Sequence, residues 1–166
     1  MSAYKKQEET TPVFAEKARE TTSSISFASD HHVNYSSGLL GEYQKKNANT
    51  TVKAIQALNL ELVREDHITN GLKNVVSNTG FKGRWQILQE NPKVICDTAH
   101  NKEGLTYVMR QLLQEDFEKL HIVLGVVNDK KLDDVLSFFP KSATYYFCKP
   151  NIPRGLNEEE LRETKI

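Results

Sequence analysis

Apolar positions in the second half of this chain alternate between two rhythms. Short apolar runs at residues 93–96, 121–127 and 143–148 have the length and the β-branched or aromatic content of buried strands. Between them Leu105, Val108, Met109, Leu112 and Leu113 recur at i, i+3, i+4, i+7 and i+8, the spacing of a helix that buries one face. Leu132, Val135, Leu136 and Phe139 line a further helix, which Pro140 stops. Asn157 opens a last helix, with Glu160 three residues on in the manner of a capping box. The order βαβαβα predicts an α/β fold: a parallel, Rossmann-like sheet with right-handed crossovers.

The first half is less regular. Thr11-Pro12 predicts a helix over residues 12–20 with Thr11 as N-cap, and the alternation of residues 24–28 predicts a strand. Residues 29–41 are polar, carry His31-His32, and read as a loop or an edge hairpin. From about Lys46 the pattern is helical, with Val52, Ile55 and Leu58 on one face, and Asp66 is placed to cap a second helix built on Ile68, Leu72 and Val75. These helices and one strand do not cover one another's apolar surfaces. Residues 1–80 are therefore expected to be an incomplete α/β remnant of a larger domain, and residues 81–166 a Rossmann-like domain that is itself clipped at its end.

Composition narrows the classes. With 22 basic and 22 acidic residues the chain has no net charge, which disfavours a nucleic-acid surface but leaves small anionic ligands open. The polar start lacks the apolar core of a signal peptide, and no apolar run approaches bilayer-spanning length, so the expected setting is the cytoplasm, without membrane partners. Cys96 and Cys148 form no C-x-x-C pair and are expected to be reduced, buried thiols. His31-His32 have no third ligand at a sensible spacing, so no metal site is assigned within the chain.

The chemistry concentrates in GRWQILQENPKVICDTAHN, residues 83–101. A strand ends there in Asp97, Thr98, Ala99, His100 and Asn101, and a helix follows at once. In open α/β sheets ligands bind beyond the carboxyl ends of strands, where helix N-termini offer free N–H groups. Asp97 at such a strand end is able to accept hydrogen bonds from both ribose hydroxyls, or to cap the turn after it. Arg84 carries a planar fork suited to phosphate oxygens, or is a solvated surface residue. Asn47 matches the N6 donor and N7 acceptor of adenine with a carboxamide's acceptor and donor, and ordinary N-capping is the rival reading. Asn101 stands where a helix N-cap would.

GRWQ followed by DTAHN resembles the start of the C-terminal domain of folylpolyglutamate synthases and dihydrofolate synthases, in the wider ATP-dependent Mur ligase family. QKKNANT (44–50), TGFKG (79–83) and LGVVNDK (124–130) agree in the same order. The resemblance implies an ATP- and magnesium-dependent ligase that forms an amide between a dihydropteroate or folate carboxylate and glutamate through an acyl phosphate. It implies that Asn47, Arg84 and Asp97 hold nucleotide and that His100 is the catalytic candidate, placed where acyl phosphate and amine would meet. The adenine contact would come from one domain and the ribose and phosphate contacts from the next, putting ATP in an interdomain cleft. Members of the family carry G-x-x-x-x-G-K-[ST] and their magnesium ligands in an N-terminal domain. That motif does not occur here, so a missing N-terminal P-loop domain is an expected partner and the chain alone is expected to be inactive. A cell-wall precursor ligase of the same superfamily and a non-catalytic nucleotide-binding or interaction remnant are the alternatives.

Overall fold

A computed structural model describes residues 2–3, 7–30, 35–128 and 136–164 of the chain. These residues form two compact units, Met1–Cys96 and Asp97–Ile166.

The first unit opens with a short parallel pair, β1 (Ser2–Ala3) and β2 (Ser26–Phe27), separated by helix α1 (Thr11–Glu20). Thr11 is the first helical residue of α1 and not its cap. Its hydroxyl accepts the Gln7 backbone N–H at 2.8 Å, while Thr10 occupies the cap position without a side-chain cap bond. The predicted strand over 24–28 shortens to β2 because Ala28–Asp30 turns into a 3-10 helix. His31 and His32 lie outside the described residues.

Helix α2 (Gln44–Leu58) begins two residues earlier than its apolar periodicity predicts. Ala48 and Val52 are buried on it, while Leu58 is 65% exposed. It ends at Asn59, whose left-handed φ of 46° makes it the C-cap. The helix predicted from Ile68, Leu72 and Val75 is two pieces, α3 (Glu65–Lys73) and α4 (Val75–Thr79). Asn74 divides them, its Nδ2 donating to the Asn70 carbonyl at 3.0 Å, a local bond that competes with helix continuation. Asp66 does not cap α3. Arg64 holds the extended cap position, and Asp66, inside the first turn, pairs with the Arg64 guanidinium at 3.2 Å.

β3 (Gln86–Glu90) and β4 (Lys93–Cys96) form an antiparallel hairpin over a cis Asn91–Pro92 peptide. Gln89 Nε2 donates to the Asn91 carbonyl at 2.9 Å across the turn. β4 has the bounds its apolar run predicts, but its partner is β3, antiparallel, and not a strand of the parallel sheet.

The second unit carries the longer parallel pair of this mixed α/β fold. β5 (His121–Leu124) pairs in parallel with β6 (Thr144–Phe147), His121 opposite Thr144 and Leu124 opposite Phe147. Both strands are shorter than their apolar runs. Gly125 leaves β5 where a Cβ would stand 2.9 Å from both the carbonyl oxygen and Sγ of Cys148, so only glycine lets these exits approach so closely. The chain then returns beside β5's extension: Leu156 N–H donates to the Val126 carbonyl at 2.9 Å and Asn128 N–H to the Arg154 carbonyl at 2.8 Å. Helix α5 (Lys102–Leu112) buries Leu105, Val108 and Met109 as its spacing predicts. Leu113, expected on the same face, is 55% exposed just past the helix end. Helix α6 (Glu158–Glu163) packs on β6 and buries Leu161 completely, and the Asn157 side chain caps it by accepting the Glu159 N–H at 2.9 Å. Of the helix predicted around Leu132–Phe139, residues 129–135 lie outside the described residues, while Leu136 and Phe139 are buried.

Candidate active site

The turn that follows β4 is locked by its own side chains. Asp97, half-buried, accepts the Ala99 N–H on Oδ1 at 2.8 Å, an Asx turn that bends the chain away from the strand direction. His100 is exposed and its Nδ1 lies 3.1 Å from the Thr98 carbonyl oxygen. A carbonyl only accepts, so Nδ1 carries the proton, and Nε2 is the ring atom left to accept or pass a proton in the neutral imidazole. Asn101 is the N-cap of α5, its Oδ1 accepting the Gly104 N–H at 2.8 Å. A Cβ on Gly104 would meet that same oxygen at 3.0 Å and the Ala99 Cβ at 3.2 Å, so the turn closes over a glycine. Asp97, His100 and Asn101 are thus brought together in one hydrogen-bonded turn, and the capping reading of Asn101 is the realised one. For Asp97 turn formation is realised as well; a carboxylate accepts several hydrogen bonds, so this is compatible with ligand binding.

Arg84 precedes β3 in a bend built from left-handed residues: φ is 65° at Gly80, 71° at Gly83 and 48° at Trp85. A tryptophan at positive φ is strained by about 1–3 kcal/mol, and burial of its ring, 3% exposed, holds it there. The Gln86 side chain accepts the Gly83 N–H at 3.0 Å, closing the bend. The Arg84 guanidinium lies over the Phe81 ring, its Cζ 5.4 Å from the ring centre, and donates to the Gly83 carbonyl at 3.0 Å. The hairpin register sets Gln86 opposite Cys96, two residues after Arg84 and one before Asp97.

Asn47 is exposed on α2, three residues after Gln44, the helix's first residue, so it lies past the cap position, which Tyr43 fills. N-capping is thereby removed as its role. Its Nδ2 donates to Gln44 Oε1 at 2.9 Å. Gln44 is 5% exposed, a residue the sequence reading passed over; its signal was an amide pair at i, i+3 at a helix start.

The expected buried thiols are not buried: Cys96 is half-buried and Cys148 exposed, because each lies at or just past a strand end where covering side chains run out. Among the described residues no three His, Cys, Asp or Glu side chains gather as metal ligands. No described helix is long and apolar enough to cross a membrane.

In the second unit a parallel strand pair is accompanied by a carboxylate turn that leads into a side-chain-capped helix. Residues 83–165, half of the chain, match the family described as Mur ligase, glutamate ligase domain, and the chain belongs to that family. Among its relatives, a probable bifunctional folylpolyglutamate synthase/dihydropteroate synthase of Haloferax volcanii is 31% identical over 74% of this chain and 14% of its own length. The dihydrofolate synthase/folylpolyglutamate synthase of Escherichia coli is 32% identical over 70% of this chain and 27% of its own length. The E. coli enzyme solved in complex with DHPP and ADP superposes with a TM-score of 0.74 at 25% identity, over 95% of this chain and 41% of that one. The chain therefore spans well under half of the relatives it matches.

Proposed function

We propose that this chain supplies part of an ATP-dependent ligase that joins glutamate to a dihydropteroate or folate carboxylate. The observation that carries the proposal is the locked turn of residues 97–101 within a segment belonging to the glutamate ligase family. Forming an amide at neutral pH needs an activated acid, and an acyl phosphate made from ATP supplies one. The work left to the protein is mostly positioning and charge compensation. In this reading Asp97 accepts the ribose hydroxyls, Arg84 binds phosphate oxygens and Asn47 reads adenine. His100 meets the reacting groups with Nε2, which is available to take a proton from the incoming ammonium or to hydrogen-bond phosphate. The division into residues 1–80 and 81–166 belongs to the same proposal, supported by a family match that begins at residue 83. Phosphate cradling and metal binding fall to a P-loop domain in another segment or chain.

The direct test replaces the matching segment of the E. coli enzyme with this chain and measures ADP release that requires both dihydropteroate and glutamate. Glutamate-dependent turnover that falls in Arg84→Ala and Asp97→Asn is the expected result. A hybrid that folds and binds ATP yet shows no glutamate-dependent turnover contradicts it. Alone, the chain is expected to bind ATP no tighter than roughly millimolar, and micromolar binding would contradict the need for a second domain.

A second reading, a non-catalytic interaction module, is favoured by apolar side chains left open in the first unit. Val13 is 66% exposed, Leu58 65% and Leu62 86%. Strong binding of a hydrophobic dye by the folded chain, with no turnover in the hybrid, would select it.

A further inference from the structure

We infer that Gln44 is a positioning residue that fixes which way the Asn47 carboxamide faces and so makes that position prefer adenine to guanine; this rests on the adenine reading of Asn47. An exposed carboxamide in water turns over freely, exchanging its oxygen and its NH2. Asn47 is exposed, but its Nδ2 is tied at 2.9 Å to Oε1 of Gln44, the one buried polar side chain among the described residues. Gln44 is 5% exposed, so packing confines its side chain where its Oε1 meets Asn47. An accepting Oε1 holds the Nδ2 side of Asn47 toward itself and leaves Oδ1 turned away.

Bidentate recognition of adenine uses Oδ1 to accept from N6 and the Nδ2 hydrogen cis to Oδ1 to donate to N7. The trans hydrogen is the one that this recognition leaves for Gln44. Guanine presents O6 and N7, both acceptors, so an Oδ1 held outward meets O6 lone pair to lone pair. An Asn47 free to turn over would lose that discrimination.

The test is a titration of the 15N-labelled full chain with ATP and with GTP, following the Asn47 side-chain amide in wild type, Gln44→Leu, Gln44→Glu and Asn47→Ala. Gln44→Leu is expected to cut the ATP-over-GTP preference roughly three- to tenfold, the worth of one hydrogen bond. It is also expected to narrow the separation between the two Asn47 amide proton shifts. Gln44→Glu accepts as Gln44 does and is expected to preserve both. An unchanged preference in Gln44→Leu, with ATP binding weakened in Asn47→Ala, would overturn the inference and leave the adenine reading standing. ATP binding unchanged in Asn47→Ala would overturn both. Should Gln44→Leu not fold, wild type decides: Asn47 amide protons exchanging with solvent as fast as those of a free asparagine would overturn the inference.

Discussion

Asp97 has two jobs in this account, and two substitutions separate them. Its Oδ1 accepts the Ala99 N–H at 2.8 Å and shapes the turn, while its charge is what a ribose would use. Asp97→Asn keeps an oxygen able to make the Asx turn and removes the charge; Asp97→Ala removes both. The turn bond is part-buried and neutral on its donor side, so losing it costs about 1 kcal/mol. The Asn variant is therefore expected to unfold in urea closer to wild type than the Ala variant, which is expected to lose at least about 1 kcal/mol. Hydrogen bonds to a charged acceptor are worth about 1–2 kcal/mol more than neutral ones, so both variants are expected to raise KM for ATP roughly five- to thirtyfold in the E. coli hybrid. Equal loss of stability in the two variants, with KM for ATP unchanged, would refute the reasoning and reduce Asp97 to a turn former.

Three further outcomes are expected. Leu161→Ala should destabilise the second unit by about 2–5 kcal/mol, because Leu161 is completely buried where α6 packs on β6; a urea midpoint close to wild type would contradict that packing. Asn101→Ala should cost about 1 kcal/mol through loss of the α5 cap, and Asn101→Ser should restore most of it; an Ala variant as stable as wild type would show the cap to be idle. The Tyr35 phenol donates to the Glu65 carboxylate, and that bond, with some burial and the nearby negative charge, holds its pKa above the ordinary 10.0. A raised pKa favours the protonated form in the fold, so this contribution is complete below pH 10 and fades as pH rises through the folded value. Urea midpoints of the first unit should fall above about pH 10 in wild type and less so in Tyr35→Phe, and identical profiles would contradict the contact.

Elements with one strong local signal were legible. Helix α5 has an asparagine cap, an apolar stripe and no internal proline, and β4 is a compact apolar run; both stand where the sequence places them. β3 escaped because its register shifts between Ile87 and Gln89, so its side chains do not alternate cleanly and no strand period shows. The break between α3 and α4 escaped because apolar periodicity runs through Asn74, and only the asparagine's competing bond to Asn70 shows the interruption. Within the site, Asp97, His100 and Asn101 were legible from the strand-to-helix handover. The positive φ of Trp85 was not, since sequence gives no reason for an aromatic residue to adopt it until burial of the ring is seen. Gln44 was missed for a similar reason, because its importance lies in which neighbour it holds.

The claim that Asn47, Arg84 and Asp97 answer to one nucleotide is tested most directly by titrating the labelled chain with ATP while following three signals: the Asn47 side-chain amide, the Arg84 Nε–H and the backbone amides of residues 97–101. The account predicts that all three move along one saturation curve with a dissociation constant in the millimolar range. A turn at residues 97–101 that stays still while Asn47 and Arg84 respond, or separate curves for the three, would contradict it.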